Sequence, residues 1–166
     1  MGNLLTSIDN YQLATAIEGS LIRGGVAVGP LYMDSRTVTG EALLEAVVLE
    51  KEVAVFPRIL LSEQCVQLAL SDTEAYAPGF SYFNPWTTQL MVDADGEVFV
   101  SYLSEVFEYD DDRPAQMHAF SDHAEAQRAK LSEVPNAGRT RSKYKWVADY
   151  HNYFCQTHYE GGPGWR

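Results

Sequence analysis

Cysteine is scarce in this 166-residue chain: Cys65 and Cys155 are the only two. Two cysteines make no disulfide framework, so the fold has to rest on a packed core. Positive charge is short as well. Twelve Lys and Arg stand against 23 Asp and Glu, a formal net charge of −11. A surface of that sign repels nucleic-acid backbones and anionic lipid, which argues against a nucleic-acid polymer as partner. It leaves room for a small phosphorylated ligand, which needs only a few well-placed cations. Long apolar runs are missing too. No stretch approaches the roughly 20 residues that span a bilayer, and Met1-Gly2-Asn3-Leu4-Leu5 lacks the basic start and apolar run of a signal peptide. These absences imply a soluble, cytoplasmic protein with no membrane span.

What is present reads as globular. Hydrophobic residues make up 46% of the chain, enough for one core at this length, so residues 1–160 are taken as a single domain and 161–166 as a flexible tail. Asp9 to Gly19 predicts a short helix with Tyr11, Leu13, Ala14 and Ile17 inward and Gly19 as its stop. Leu21 to Gly29 predicts a strand. Its central Gly24 and Gly25 leave room for close approach, by a ligand or by a packed neighbour. Pro30 to Asp34 continues extended into a turn at Asp34-Ser35-Arg36. Gly40 to Val53 is the clearest helix, with Leu43, Ala46, Val47, Glu50 and Val53 at helical spacing. Phe56-Pro57 ends it. Arg58 to Leu61 is a short strand, and Ser62 caps a further helix through Leu70. Strand, helix, strand in this order predicts an α/β or α+β sheet.

Beyond the loop-rich residues Ser71 to Pro85, Thr87 to Val92 and Glu97 to Leu103 flank Asp93-Ala94-Asp95-Gly96, a hairpin signal. That tetrapeptide resembles the start of a calcium loop, but position 104 is Ser104 where an EF-hand needs glutamate, so the turn reading wins. Glu108 to Asp112 is a solvated acidic turn, followed by helices at Ala115 to Val134 and Arg141 to His158. His151, Cys155 and His158 share one face of the last helix at zinc-ligand spacing. No fourth ligand is recognisable, and packing is the plainer role; no metal ligand is assigned. Arg139, Arg141, Lys143 and Lys145 form the one dense basic cluster, at a loop-to-helix junction where backbone donors add positive field. The cluster suits a triphosphate, or it merely offsets nearby acids.

Three ordered blocks carry a resemblance. They are Ile22 to Gly29 with Leu31-Tyr32-Met33-Asp34; Gly40 to Glu50 with Ala54 to Ile59; and Lys143-Tyr144-Lys145-Trp146 with Tyr150-His151-Asn152. Between them lie Asp95-Gly96 and Val100 to Leu103. From about residue 20 to residue 153 the chain resembles the C-terminal part of class III nucleotidyl (adenylate/guanylate) cyclase domains, closest to the bacterial antiphage pyrimidine (uridylate/cytidylate) cyclases. The resemblance implies an α+β, ferredoxin-like sheet with helices on one face, here without its first strands. It implies a lyase that forms a 3′,5′-cyclic nucleotide (of the cUMP or cCMP kind) from a nucleoside triphosphate, with Mn2+ or Mg2+, in antiviral defence.

The departures from that family carry equal weight. The metal-binding aspartates of the family belong to strands upstream of the first helix here, so the Mn2+ or Mg2+ ligands are not found in this chain. The helix that carries an asparagine and an arginine in ordinary class III enzymes has Leu44 and Val48 instead. The fragment is therefore expected to be inactive alone and to act as a homodimer or with a complementing polypeptide; a non-catalytic binding or assembly module is the alternative. The resemblance makes Lys143, Asn152 and His151 the candidate catalytic residues and Arg23, Gly24 and Gly25 candidate nucleotide-binding ones, which Arg141 joins from the basic cluster. Structural roles compete at several positions. Arg23 can pair with an acid such as Glu50, Glu50 and Arg58 can lock helix to strand, and Tyr144 and Trp146 suit the core.

Overall fold

The computed structural model describes residues 2–75, 85–108 and 113–158. The chain folds as two compact units: residues before Ser7 group with Arg23–Ser101, and Ser7–Ile22 groups with the chain from Tyr102 onward. Together they make an α+β protein with a mixed four-stranded sheet.

Helix α1 spans Gly2–Ile17, starting earlier than its sequence suggests. It stops at Gly19, which takes a φ of +79° that an L side chain rarely adopts. Its inward residues also differ from expectation. Leu5, Asp9, Gln12, Leu13 and Ala16 are buried while Tyr11 is 64% exposed. Two inward positions are polar, and a search for apolar periodicity alone passes over them.

The first unit is built on strands β1 (Gly24–Val26), β4 (Ile59–Leu61), β5 (Leu90–Val92) and β6 (Val98–Val100), in the order β1-β4-β6-β5. β1 and β4 are parallel, with Gly25 beside Leu60; β6 runs antiparallel to both β4 and β5. A small antiparallel hairpin, β2 (Tyr32–Met33) and β3 (Val38–Thr39), precedes the crossover helix α2 (Glu41–Val48). α2 runs on into a widened π turn over Leu49–Val53. β1 and β4 are direct neighbours, whereas the split β-α-β of a ferredoxin-like sheet has a strand between them.

Gly25 explains how closely the crossover packs. A Cβ there would sit 2.5 Å from the Ala46 carbonyl oxygen and 2.7 Å from Leu49 Cβ. The space its missing side chain leaves is filled by helix backbone. Leu60 and Phe99, on the same face of the sheet by register, are buried. Helix α3 (Glu63–Ala75) follows β4, and Ser62 Oγ accepts the Cys65 N–H at 3.3 Å as its cap. Residues 76–84, within the loop-rich stretch, lie outside the described residues; helix α4 is Pro85–Thr88.

The expected hairpin at Asp93 to Gly96 forms, with Gly96 at φ +89°. Its two carboxylates engage an arginine. Arg58 is fully buried and donates to both Asp93 and Asp95, one Nη1–Oδ1 bond to Asp95 being 3.0 Å. Glu50 pairs instead with Arg23, Nε to Oε1 at 2.9 Å. The expected lock between Glu50 and Arg58 is thus split into two separate ion pairs. A guanidinium buried behind the turn offers the two aspartates a better counter-charge than a helix carboxylate offers Arg58.

The second unit holds a short 3-10 turn (Tyr102–Ser104) and helices α5 (Glu105–Glu108), α6 (Arg113–Glu133) and α7 (Arg139–His158). Residues 109–112 of the acidic turn and the tail 161–166 lie outside the described residues. Arg141 reaches Leu131 and His151 reaches His123, so α6 and α7 run antiparallel. Their shared core contains Phe120, Ala124, Val147, Tyr150 and Phe154. Trp146 stacks on Tyr150 with ring centres 5.5 Å apart, yet it and Tyr144 are only half-buried.

Candidate functional site

The candidate residues fall into both units. In the first, Arg23 leads into β1 and is spent on structure: it pairs with Glu50 and reaches the Ala54 carbonyl at 3.4 Å. Gly24 has ordinary room, since a Cβ would meet Ile59 at 3.6 Å, and Gly25 is closed by α2.

In the second unit, Arg141, Lys143, His151 and Asn152 all lie on α7. A helix turns about 100° and rises about 1.5 Å per residue. Lys143 therefore points away from Arg141, and His151 begins about 12 Å further along the axis than Lys143. The three candidate catalytic residues are not brought together. His151 is fully buried, and Lys143 and Asn152 are half-buried.

Arg141 does have company. A cleft of about 390 Å³ is walled by Leu131, Asn136, Gly138, Arg141, Ser142 and Lys145, at the first turn of α7. Gly138, at φ +117°, turns the chain into the helix, and its carbonyl accepts the Ser142 N–H at 3.2 Å. The N–H groups of that first turn have no partner within the helix and carry partial positive charge. Arg141 also donates to the Leu131 carbonyl at 3.5 Å, in the last turns of α6, and Lys145 pairs with Asp149 at 2.6 Å. Both cations are held in place by these contacts. The arrangement can receive an anion of phosphate type.

His151 belongs to a different feature. Tyr102, His123, His151 and Cys155 form a buried line: Tyr102 Oη to His123 Nε2 at 3.0 Å, Nδ1 to Nδ1 between the histidines at 3.0 Å, and His151 Nε2 to Cys155 Sγ at 3.6 Å. One consistent set of donors has Tyr102 donating to His123, His123 to His151, and His151 to the sulfur, all neutral. Burial, and then the neighbouring His151, hold the His123 imidazole down to about 3. Burial pushes the Tyr102 phenol up, Tyr150 adding to it, and lifts the Cys155 thiol to about 11. The sequence reading assigns a role to neither His123 nor Tyr102. Positions 28 residues apart on two helices leave no local signal.

Metal binding finds no support in these geometries. Among the described residues no group of three or more His, Cys, Asp and Glu side chains is arranged to hold a metal ion. The sulfur of Cys155 lies at the opposite nitrogen of His151 from His123, and His158 stacks on Phe154. Asp93 and Asp95 hold Arg58. Asp34 accepts the N–H groups of Arg36 and Thr37 and the Tyr32 hydroxyl, which keep its carboxyl below the ordinary value. Asp34, Asp93 and Asp95 are thus each engaged by the chain's own donors. No helix of the described residues is long and apolar enough to cross a membrane. No family model, curated protein or solved structure matches the chain.

Proposed function

We propose that the chain is a nucleotide-binding module of the class III cyclase type. It holds a nucleoside triphosphate by its phosphates at the first turn of α7. It contributes to forming a 3′,5′-cyclic nucleotide, in antiphage signalling, together with a second polypeptide that supplies the metal carboxylates. The observation that carries this reading is the cleft that Arg141, Ser142 and Lys145 wall at the first turn of α7. It shares Lys145 with one of the blocks that resemble the cyclases. The other blocks fall on β1, α2 and β4, with the β5–β6 hairpin in the same sheet; the strand–helix–strand and antiparallel pair are in keeping with this reading, while the direct pairing of β1 with β4 departs from a ferredoxin-like sheet.

Titration with ATP, GTP, CTP and UTP, followed by calorimetry, tests the binding step. Saturable binding that drops at least tenfold in Arg141→Ala supports the reading. Mass spectrometry of the same mixtures with manganese is expected to show no cyclic product from this chain alone. Absence of triphosphate binding sinks the proposal.

A second reading has its own observation. Leu44 and Val48 on α2 are 65% and 53% exposed, at the positions where ordinary class III enzymes carry an asparagine and an arginine. Apolar side chains there favour a non-catalytic assembly module that docks α2 against a partner. A folded Leu44→Asp, Val48→Asp double variant that leaves the mass in solution unchanged argues against self-association through this face.

A further inference from the structure

Half of the exposed large hydrophobic side chains among the described residues fall within residues 28–48, which hold the β2–β3 hairpin, its lead-in and α2. Met33 at 71% and Leu44 at 65% are the most exposed of all. Leu44 and Val48 stand one turn apart on α2 and form a short apolar ridge along its outer face. The hairpin is held to the start of that helix. A Cβ on Gly40 would sit 2.4 Å from the Pro30 carbonyl oxygen, so the chain entering the hairpin is closed against the residue that opens α2. Hairpin and ridge are therefore fixed neighbours, and apolar side chains gathered in this way mark an interaction surface.

The charges beside the ridge select the partner. Glu41 and Glu45 border it at helical spacing, and the π turn adds Glu52 with one cation, Lys51; all four are exposed. None of these three glutamates makes an ion pair with a described residue, whereas Glu50 is spent on Arg23. A second copy would set the same acids against one another, in a chain of formal net charge −11, and anionic lipid is repelled in the same way. A basic partner is attracted. The ridge of one helix packs into the groove of another. We infer that α2 and its hairpin dock a basic amphipathic helix of another protein, with apolar side chains against Leu44 and Val48 and lysine or arginine against Glu41, Glu45 and Glu52. The inference rests on the assembly-module reading and names that partner's chemistry; it makes no use of the triphosphate cleft.

The probe is a helical peptide of leucine and lysine whose leucines recur every third or fourth residue, its binding to the full chain followed by fluorescence anisotropy. Two controls accompany it: a scrambled peptide of the same composition, and one with glutamine in place of every lysine. Saturable binding of the probe is expected, at least tenfold tighter than that of the scrambled peptide. Leu44→Gln with Val48→Gln should weaken it tenfold or more, and Glu41→Gln with Glu45→Gln several-fold. Met33→Gln, on the hairpin, is the further variant should the ridge variant fail to fold. Equal binding of the scrambled peptide, or no loss in the folded ridge variant, overturns the site. Equal binding of the glutamine peptide, with the ridge variant still defective, overturns the basic partner and leaves the assembly module standing. Failure of every peptide to bind at millimolar concentration sinks both. Sedimentation of the chain alone that shows a dimer, lost in the ridge variant, gives the face to a second copy and overturns the inference.

Discussion

The imidazole rings of His123 and His151 meet edge to edge, their planes only 9° apart and their Nδ1 atoms 3.0 Å from each other. Both rings are fully buried. Such a contact needs one Nδ1 to carry a proton and the other to lack it. The pair therefore tolerates at most one added proton, and burial discourages even that one.

The sign of the pH dependence follows. His123 titrates near 6.5 when unfolded and at about 3 when folded. Its contribution to stability is complete above the unfolded value and is lost as pH falls from about 6.5 toward 3, by at most ~1.4 kcal/mol per pH unit. Asp95, whose carboxyl is lowered chiefly by the Arg58 hydrogen bond, loses its contribution only below the ordinary carboxylate value. Urea midpoints followed by circular dichroism should fall between pH 6.5 and 4.5, ahead of the carboxylates. His123→Gln should flatten that slope. A flat wild-type profile in this window would contradict the buried neutral pair.

Arg58 predicts an asymmetry. Its guanidinium has no exposed surface, while the Asp93 and Asp95 side chains are 19% and 48% exposed. Replacing both aspartates by asparagine leaves a buried charge without its counter-charge and should cost roughly 3–5 kcal/mol. Arg58→Met removes the charge and leaves carboxylates that water can reach, so its cost should be distinctly smaller. Chemical denaturation of the two variants side by side checks the order; equal losses would mean the burial of Arg58 is immaterial.

The adjacent glycines of β1 should behave differently under the same substitution. Gly25→Ala drives a methyl into the backbone of α2, and overpacking of this kind costs about 1–3 kcal/mol. Gly24→Ala meets only Ile59 at 3.6 Å and should be near neutral. Thermal melts of the two single variants read the difference directly.

Legibility in the sequence followed the range of the signal. α6 and α7 were placed to within about two residues because each is a long run with clear ends. The turn at Asp93 to Gly96 was plain from its residue types. β1 shrank from Leu21–Gly29 to three residues because its partner β4 is itself only three residues long, and a ladder cannot outrun its neighbour. Asp9 and Gln12, both buried, hide the inward face of α1 from any search for apolar periodicity. The basic cluster is visible in the sequence, but a helix turns Lys143 away from Arg141 despite their proximity in the chain. Links such as His123–His151 and Arg58–Asp95 join residues 28 and 37 apart, and they are set by packing that no local pattern records.

Cys155 carries the last prediction. Its sulfur is buried beside His151 Nε2 at 3.6 Å, and burial raises the thiol to about 11. A Cys–His contact often marks a nucleophile, but that requires a thiolate. At pH 8 a thiol titrating at about 11 is ionised in roughly one molecule in a thousand, and the side chain is closed to reagent. Cys65 is buried as well. Ellman's reagent should therefore react with neither cysteine in the native state on a time scale of minutes and with both in guanidinium chloride. Rapid reaction in native buffer, assigned to Cys155 by peptide mass, would show that the Tyr102–His123–His151 line activates the thiol and would make it a chemical site in its own right.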